Sequence, residues 1–470
     1  MGEEKAHQGV LRGSAGVSAA GTCKHSDAPI SKRVKSRPCI SDGTEYLASV
    51  KVPRFPPTQR LFFYELPPHL GTTAAFSDTV LPRLKQSLSL TLQSWTLLAG
   101  NLAWPQSSDK PLIQYSDGDA VSLTVAESGA DFRHLSDKSS FREATEYHSH
   151  LPDLPSSHAR VPVLALQVTL FPNSGFSVGY SAHHAVVDGK TATMFMNSWA
   201  SVCSSSNSMA DQPFYGRAFL SEDQERVMLN RVLDQGGPNN KSLMLMDLKS
   251  PGDAAFVTFQ LTRANIETLK NWVRARLERN QQTDVHLSNF TAISAFVWVC
   301  LIKLHGMRGG EKAQLRFAAD CRARLDPPVP STYFGNCVVG CCPTADVDGL
   351  LGEDGVAMAA KVIGEAIDDL KHADLKAAQD LIFGRPSSPI SVDKVFSISG
   401  SPRFEFYKVD FGWGRPRKVE VTSIDRTGAF SLSDSGDGTA AVEIGLALKK
   451  NKVAGFASMF ASGLEAFGRP

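Results

Sequence analysis

The sequence has no surplus of either charge: 49 Lys and Arg stand against 48 Asp and Glu in 470 residues. Proteins that hold nucleic acid or an anionic membrane by overall charge usually carry a basic excess, so we expect neither partner. Long apolar runs are missing too. The longest, around residues 293–302, is about half of the roughly 20 residues that a membrane helix needs. The eight cysteines are sparse and irregular, with none of the CxxC or Cys/His spacings of a zinc site and none of the density of a disulfide scaffold. The cluster Cys337, Cys341 and Cys342 has no nearby His and reads as small core residues. Residues 1–50 contain no Phe or Trp, so we expect a loosely attached leader that buries little. Its start shows no signal-peptide pattern, and Glu3 and Glu4 spoil a transit peptide. The expectation is a soluble, cytoplasmic protein with no metal.

What is present is a mixed α/β pattern. Leu81, Leu84, Leu88, Leu92 and Trp95 recur at three- and four-residue steps, which predicts a helix over 77–98 capped by Ser77 or Asp78. Residues 161–171 and 175–184 flank Pro172-Asn173-Ser174, which reads as strand, tight turn and strand. A polar stretch from Ser204 breaks the pattern and suggests a linker. Beyond it come a strand near 257–261, helices over 266–280 and 288–304, a loop over 326–335 and a helix near 356–370. Short strands then run to the end. The expected organisation is a leader (1–50), an N-terminal domain (51–203), a crossover linker (204–245) and a C-terminal domain (246–470).

Three well-known strings occur in the wrong context. Gly175-Phe176-Ser177-Val178-Gly179 fits a hydrolase elbow, but Ser177 begins a strand instead of preceding a helix. Asp410-Phe411-Gly412 matches a kinase triplet without the kinase catalytic or glycine loops. Gly189-Lys190-Thr191 ends like a P-loop, but His184 takes the place of the first glycine.

The string that carries chemistry is His183-His184-Ala185-Val186-Val187-Asp188-Gly189, directly after a strand. An imidazole is suited to take a proton from a hydroxyl near neutral pH, and Gly189 permits close approach of the backbone. Alone, H-x-x-x-D is a weak signal. It gains force from Asp410-Phe411-Gly412-Trp413-Gly414, and from Tyr333-Phe334-Gly335-Asn336-Cys337 with Arg322 and Arg324 just upstream.

Together these residues resemble the BAHD acyltransferases of plants, which carry H-x-x-x-D-G in mid-chain and D-F-G-W-G near the C-terminus. The resemblance covers roughly residues 51–460, and the YFGNC, HHAVVDGK and SPRFEFYKVDFGWGRP strings look like the branch that malonylates anthocyanins and phenolic glucosides. It implies two chloramphenicol-acetyltransferase-like domains, each a mixed sheet flanked by helices, with a channel between them. It implies no bound cofactor, malonyl-CoA as co-substrate, a phenolic glycoside as acceptor, and a monomer. By the same resemblance His184 is the general base and Asp188 is structural, paired with Arg322 from the other domain. The 410–414 loop is expected to support the channel, with the Trp413 indole N–H or a backbone amide facing the oxyanion. Lys270 and Arg274 are expected on the CoA side, and Arg322, Arg324 or Lys190 against a malonyl carboxylate. Other readings are another acyl donor, a peptide-synthetase condensation domain, or a non-catalytic relative.

Overall fold

A computed structural model gives the fold and describes residues 15–18, 55–106, 108, 110–204, 212–217, 242–282, 284–325, 327–372, 390–436 and 442–468. The expected linker falls outside the described residues except for 204, 212–217 and 242–245. Of the leader, only Ala15–Ser18 is described, and it adds an edge strand to the first sheet, antiparallel to Ala120–Glu127.

That first sheet has six strands, in the order Ala15–Ser18, Ala120–Glu127, Leu164–Phe171, Gly175–Ala182, Thr58–Glu65 and Lys418–Val421. Its centre is the expected hairpin, Leu164–Phe171 and Gly175–Ala182, in which every residue is buried. Thr58–Glu65 pairs alongside, with Thr58 opposite Ala182 and Glu65 opposite Gly175. Strand alternation then divides its side chains. Phe62 and Tyr64 pack with Leu84, Leu88, Trp95 and Trp199 in the first core. Leu61 and Phe63 pack with Phe171, Phe256 and Val421 in a second cluster between the halves.

The helical stretch at 73–92 begins earlier than the sequence predicts. Thr72 caps it by accepting from the Ala75 N–H at 3.2 Å, and Ser77 and Asp78 fall inside a π-turn, Phe76–Val80, that leads into Leu81–Leu92. The second half is built on an eight-stranded sheet that includes Ala254–Leu261, Lys312–Asp320, Phe430–Asp434 and Val442–Lys449. The helices Arg263–Arg279, Asn289–His305, Gly355–His372 and Lys450–Phe467 cover it.

The two halves exchange strands. Lys418–Val421 belongs to the C-terminal half in sequence but pairs with Thr58–Glu65 of the first sheet. Arg142–Glu143 belongs to the N-terminal half but pairs with Ala254–Leu261 of the second. Charged contacts reinforce the crossing: Lys138 to Glu443 at 2.6 Å, His148 to Asp425 at 2.7 Å and Arg417 to Glu65 at 2.7 Å. A division at the linker therefore describes the chain order but not the sheets.

Candidate active site

His184 sits in the short turn that carries the chain from the strand Gly175–Ala182 into the helix Gly189–Cys203. Such a turn at the end of a fully buried strand holds a side chain on rigid backbone. The His183 N–H donates to the Val163 carbonyl at 2.8 Å, and the Val186 N–H closes the turn onto the His183 carbonyl at 2.9 Å. From the opposite half, Asn336 donates through Nδ2 to the His184 carbonyl at 3.0 Å. Phe55 meets the imidazole edge to face, with ring centroids 5.7 Å apart. Burial lowers the His184 pKa, while its own backbone carbonyl and then Asp188 pull it back up. The ring is therefore neutral at pH 7. Its Nδ1 is buried without a well-formed hydrogen bond, so Nε2 is the nitrogen that can meet a substrate.

The neighbouring His183 is fully buried, and burial pushes its pKa down to about 4. Its Nδ1 accepts the Ala185 N–H at 3.3 Å, so it serves the turn.

Asp188 faces away from the imidazole. It caps the helix Gly189–Cys203 by accepting from the Thr191 N–H at 2.8 Å. Its other oxygen receives Arg322 Nη2 at 2.9 Å and the Cys337 N–H at 3.2 Å. Both partners of the pair are 3% exposed, so this is a buried, charge-assisted contact between the halves. Both Nη atoms of Arg322 are engaged, while its Nε is buried without a hydrogen-bond partner. Arg322 also donates to the Gly335 carbonyl at 2.8 Å, the Tyr333 carbonyl at 3.2 Å and, through Nη1, Asp320 at 3.0 Å. Burial opposes its charge, but Asp188 and Asp320 outweigh burial and hold its pKa raised. The guanidinium is thus committed mainly to the contact between the halves.

Gly189 is required by packing. A Cβ there would stand 2.4 Å from the ring of Phe404, which lies across the start of the helix.

The 410–414 loop is remote from all of this. Asp410 Oδ1 accepts the N–H groups of Gly412 at 2.8 Å and Gly414 at 3.0 Å, and those glycines take φ of 98° and 103°. Phe411 is fully buried against Trp199 and Tyr64, with centroids 4.8 and 5.5 Å apart. Trp413 packs against Phe176 at 5.9 Å, with Arg83 over its ring at 4.5 Å. Phe176 is at the far end of the strand that leads to His184, six residues from Ala182 and so about 20 Å away. The loop supports the first core, and a Trp413 contact with the oxyanion does not fit that place.

The remaining candidates are dispersed. Lys270 and Arg274 lie on the outer side of Arg263–Arg279, where Lys270 pairs with Glu267 at 3.6 Å and Arg274 donates to Asn271 at 2.8 Å. Arg324 is exposed, and Lys190 is half-buried in the first turn of its helix. Asn336, Phe404 and Phe55 are site residues that the sequence reading did not single out. Asn336 and Phe404 sat inside the strings that carried the resemblance, which was the only signal available for them. Among the described residues no group of three His, Cys, Asp or Glu can hold a metal.

A transferase family model matches residues 46–462. Phenolic glucoside malonyltransferase 2 of Arabidopsis thaliana is 37% identical over 420 residues, covering 87% of this chain and 91% of that protein. The malonyl-CoA:anthocyanidin 5-O-glucoside-6''-O-malonyltransferase of the same plant is 39% identical over 427 residues, with the same coverage of 87% and 91%. The chain belongs to the BAHD acyltransferases. Vinorine synthase shares the fold, with a TM-score of 0.68 at 16% identity, over 97% of this chain and 98% of that one. As a member of this acyltransferase family, the protein draws its acyl group from a CoA thioester.

Proposed function

We propose that the protein transfers malonyl from malonyl-CoA to a sugar hydroxyl of a phenolic or flavonoid glycoside, with His184 as the general base. The likeness to the two malonyltransferases across almost the whole body carries the choice of donor and acceptor. A neutral imidazole on a rigid turn, with its carboxylate neighbour turned away, supports the chemistry.

In this mechanism Nε2 of His184 removes the proton of the acceptor hydroxyl as that oxygen attacks the thioester carbonyl. The tetrahedral intermediate collapses, the C–S bond breaks, and the CoA thiolate leaves with the proton that His184 held. A thioester is already activated, so no acyl-enzyme forms and both substrates must bind together. Asp188 takes no part in proton transfer; with Arg322 and the Cys337 N–H it fixes the start of the helix behind the His184 turn. No described helix is long and apolar enough to cross a membrane. We assign the reaction to the cytoplasm and to a monomer.

The test is incubation with a phenolic glucoside and, separately, malonyl-, acetyl- and hydroxycinnamoyl-CoA, with product mass as the readout. Preferred malonyl transfer is expected. Preference for an aromatic donor would overturn the donor assignment, and absence of transfer from any CoA thioester would overturn the reading as a whole.

A further inference from the structure

The main chain of His184 is gripped by a side chain of the opposite half: Asn336 Nδ2 donates to its carbonyl at 3.0 Å. A carbonyl oxygen can only accept, so this contact also fixes which way the amide faces. The backbone on either side of Asn336 is tied down without its help. Gly335, at φ 118°, donates its N–H to Thr191 Oγ1 at 3.2 Å. The Gly335 carbonyl accepts from Thr191 Oγ1 at 3.1 Å and from Arg322 Nη2 at 2.8 Å. On the other side, the Cys337 N–H goes to Asp188 at 3.2 Å, and the Cys337 carbonyl accepts the Cys321 N–H at 2.8 Å. The amide is therefore presented to the His184 turn by contacts that do not pass through it.

The carbonyl that Asn336 grips bears on the chemistry of the ring. Nδ1 of His184 is buried and short of a well-formed hydrogen bond. The group that pulls the ring's pKa up most is the residue's own carbonyl, ahead of Asp188. Asp188 is engaged with Arg322, the Cys337 N–H and the Thr191 N–H, and does not orient the imidazole. A neutral imidazole carries one proton, and only the form protonated at Nδ1 leaves Nε2 free to act as a base. A backbone carbonyl beside Nδ1 favours that form for as long as the carbonyl stays in place.

We propose that Asn336 is a positioning residue for the base: by holding the His184 carbonyl from the opposite half, it keeps the imidazole in the Nδ1–H form with Nε2 free. It acts through His184 and not on the reacting atoms. This rests on the reading of His184 as the general base and adds the contact that sets its tautomer. Asn336→Leu fills a similar space without a donor, and Asn336→Gln keeps an amide one carbon longer.

The experiment reads the tautomer by NMR of nitrogen-labelled histidine rings in the resting protein, with His184→Ala to assign the signal. It also reads kcat, both KM values and the acid limb of kcat/KM with malonyl-CoA and a phenolic glucoside, normalised to the folded fraction. Asp188 and His183, the titratable groups that act on His184, are the same throughout. An Nδ1–H signal is expected in wild type and a mixture of tautomers in Asn336→Leu. The loss of one hydrogen bond predicts a kcat lowered about 10- to 100-fold in Asn336→Leu, with both KM values within about twofold and partial recovery in Asn336→Gln. The acid limb should move to lower pH, because the displaced carbonyl no longer supports the charged ring. A variant that loses activity and melting temperature but keeps the wild-type tautomer and acid limb would make Asn336 structural and overturn the proposal, as would an unchanged kcat. If Asn336→Leu does not fold, Asn336→Ala decides by the same readouts. If wild type transfers no acyl group, the general-base reading falls, and the tautomer signal alone decides whether Asn336 governs the ring. If transfer holds but the tautomer ignores Asn336, that reading stands and this proposal falls.

Discussion

The two ends of the helix Gly189–Cys203 are held by opposite kinds of force. At its start, Asp188 is fixed by charge and hydrogen bonds from Arg322 and Cys337 of the other half. Near its end, Trp199 is fixed by the aromatic ring of Phe411. Asp188 and Trp199 are 11 residues apart, about 16 Å along the helix. One of the two strings by which the family is known opens the helix and the other packs against it near its end, yet only the first adjoins the proposed base. Directional contacts set the angle of the His184 turn, while apolar packing secures the body that carries it. Two strings of equal prominence in sequence thus divide into a mount for the proposed base and a core anchor.

Substitutions can break that division. The largest effect is expected from His184→Ala, which should lower kcat about 10²- to 10⁴-fold by loss of the general base while leaving the melting temperature unchanged. Steady-state kinetics beside calorimetry checks both halves of that statement. Next is Asp188→Ala, which takes the buried carboxylate from Arg322 and leaves it only the exposed Asp320, and should cost about 3 kcal/mol of stability together with most activity. Adding Arg322→Met to it should restore part of the stability but little activity, because the turn stays unfixed. Full recovery of activity in the double variant would show that the pair does not position His184. Phe411→Ala should cost about 3–5 kcal/mol by opening a cavity in the first core. Its kcat per folded molecule should stay near wild type, with the folded fraction taken from circular dichroism. The smallest effect belongs to Trp413→Phe. An oxyanion donor would lose about 10²- to 10³-fold in kcat, whereas a packing residue at the far end of the strand should lose less than about threefold.

Much of this was legible in the sequence, and the exceptions share a physical cause. The central hairpin showed itself through two apolar runs around a Pro-Asn-Ser turn, and the helix Asn289–His305 through its continuous apolar face. The exchanged strands did not. Arg142–Glu143 is two residues long, and Lys418–Val421 alternates charge with valine, the pattern of a strand with one wet face. Both faces are buried, because Lys418 and Glu420 neutralise each other inside the seam. Buried pairs defeat pattern reading, since the sequence shows each charge but not its partner. Arg60 is hidden for a related reason, since the sequence shows its charge but not its burial. His184 was visible through its string, whereas Asn336 and Phe404 act only through contacts that the fold creates.

The central claim is that a neutral, burial-shifted His184 is the base, and the pH dependence of kcat/KM with malonyl-CoA tests it most directly. His183 and His150, buried with pKa values near 4, contribute a loss of stability as pH falls from about 6.5 toward 4, because the unfolded chain takes up protons there. Rates are therefore normalised to the folded fraction at each pH. Since burial lowers the His184 pKa from 6.5, the account predicts an acid limb that inflects below that value and is absent from the residual activity of His184→Ala. An inflection at or above 6.5, or the same limb surviving without His184, would contradict it.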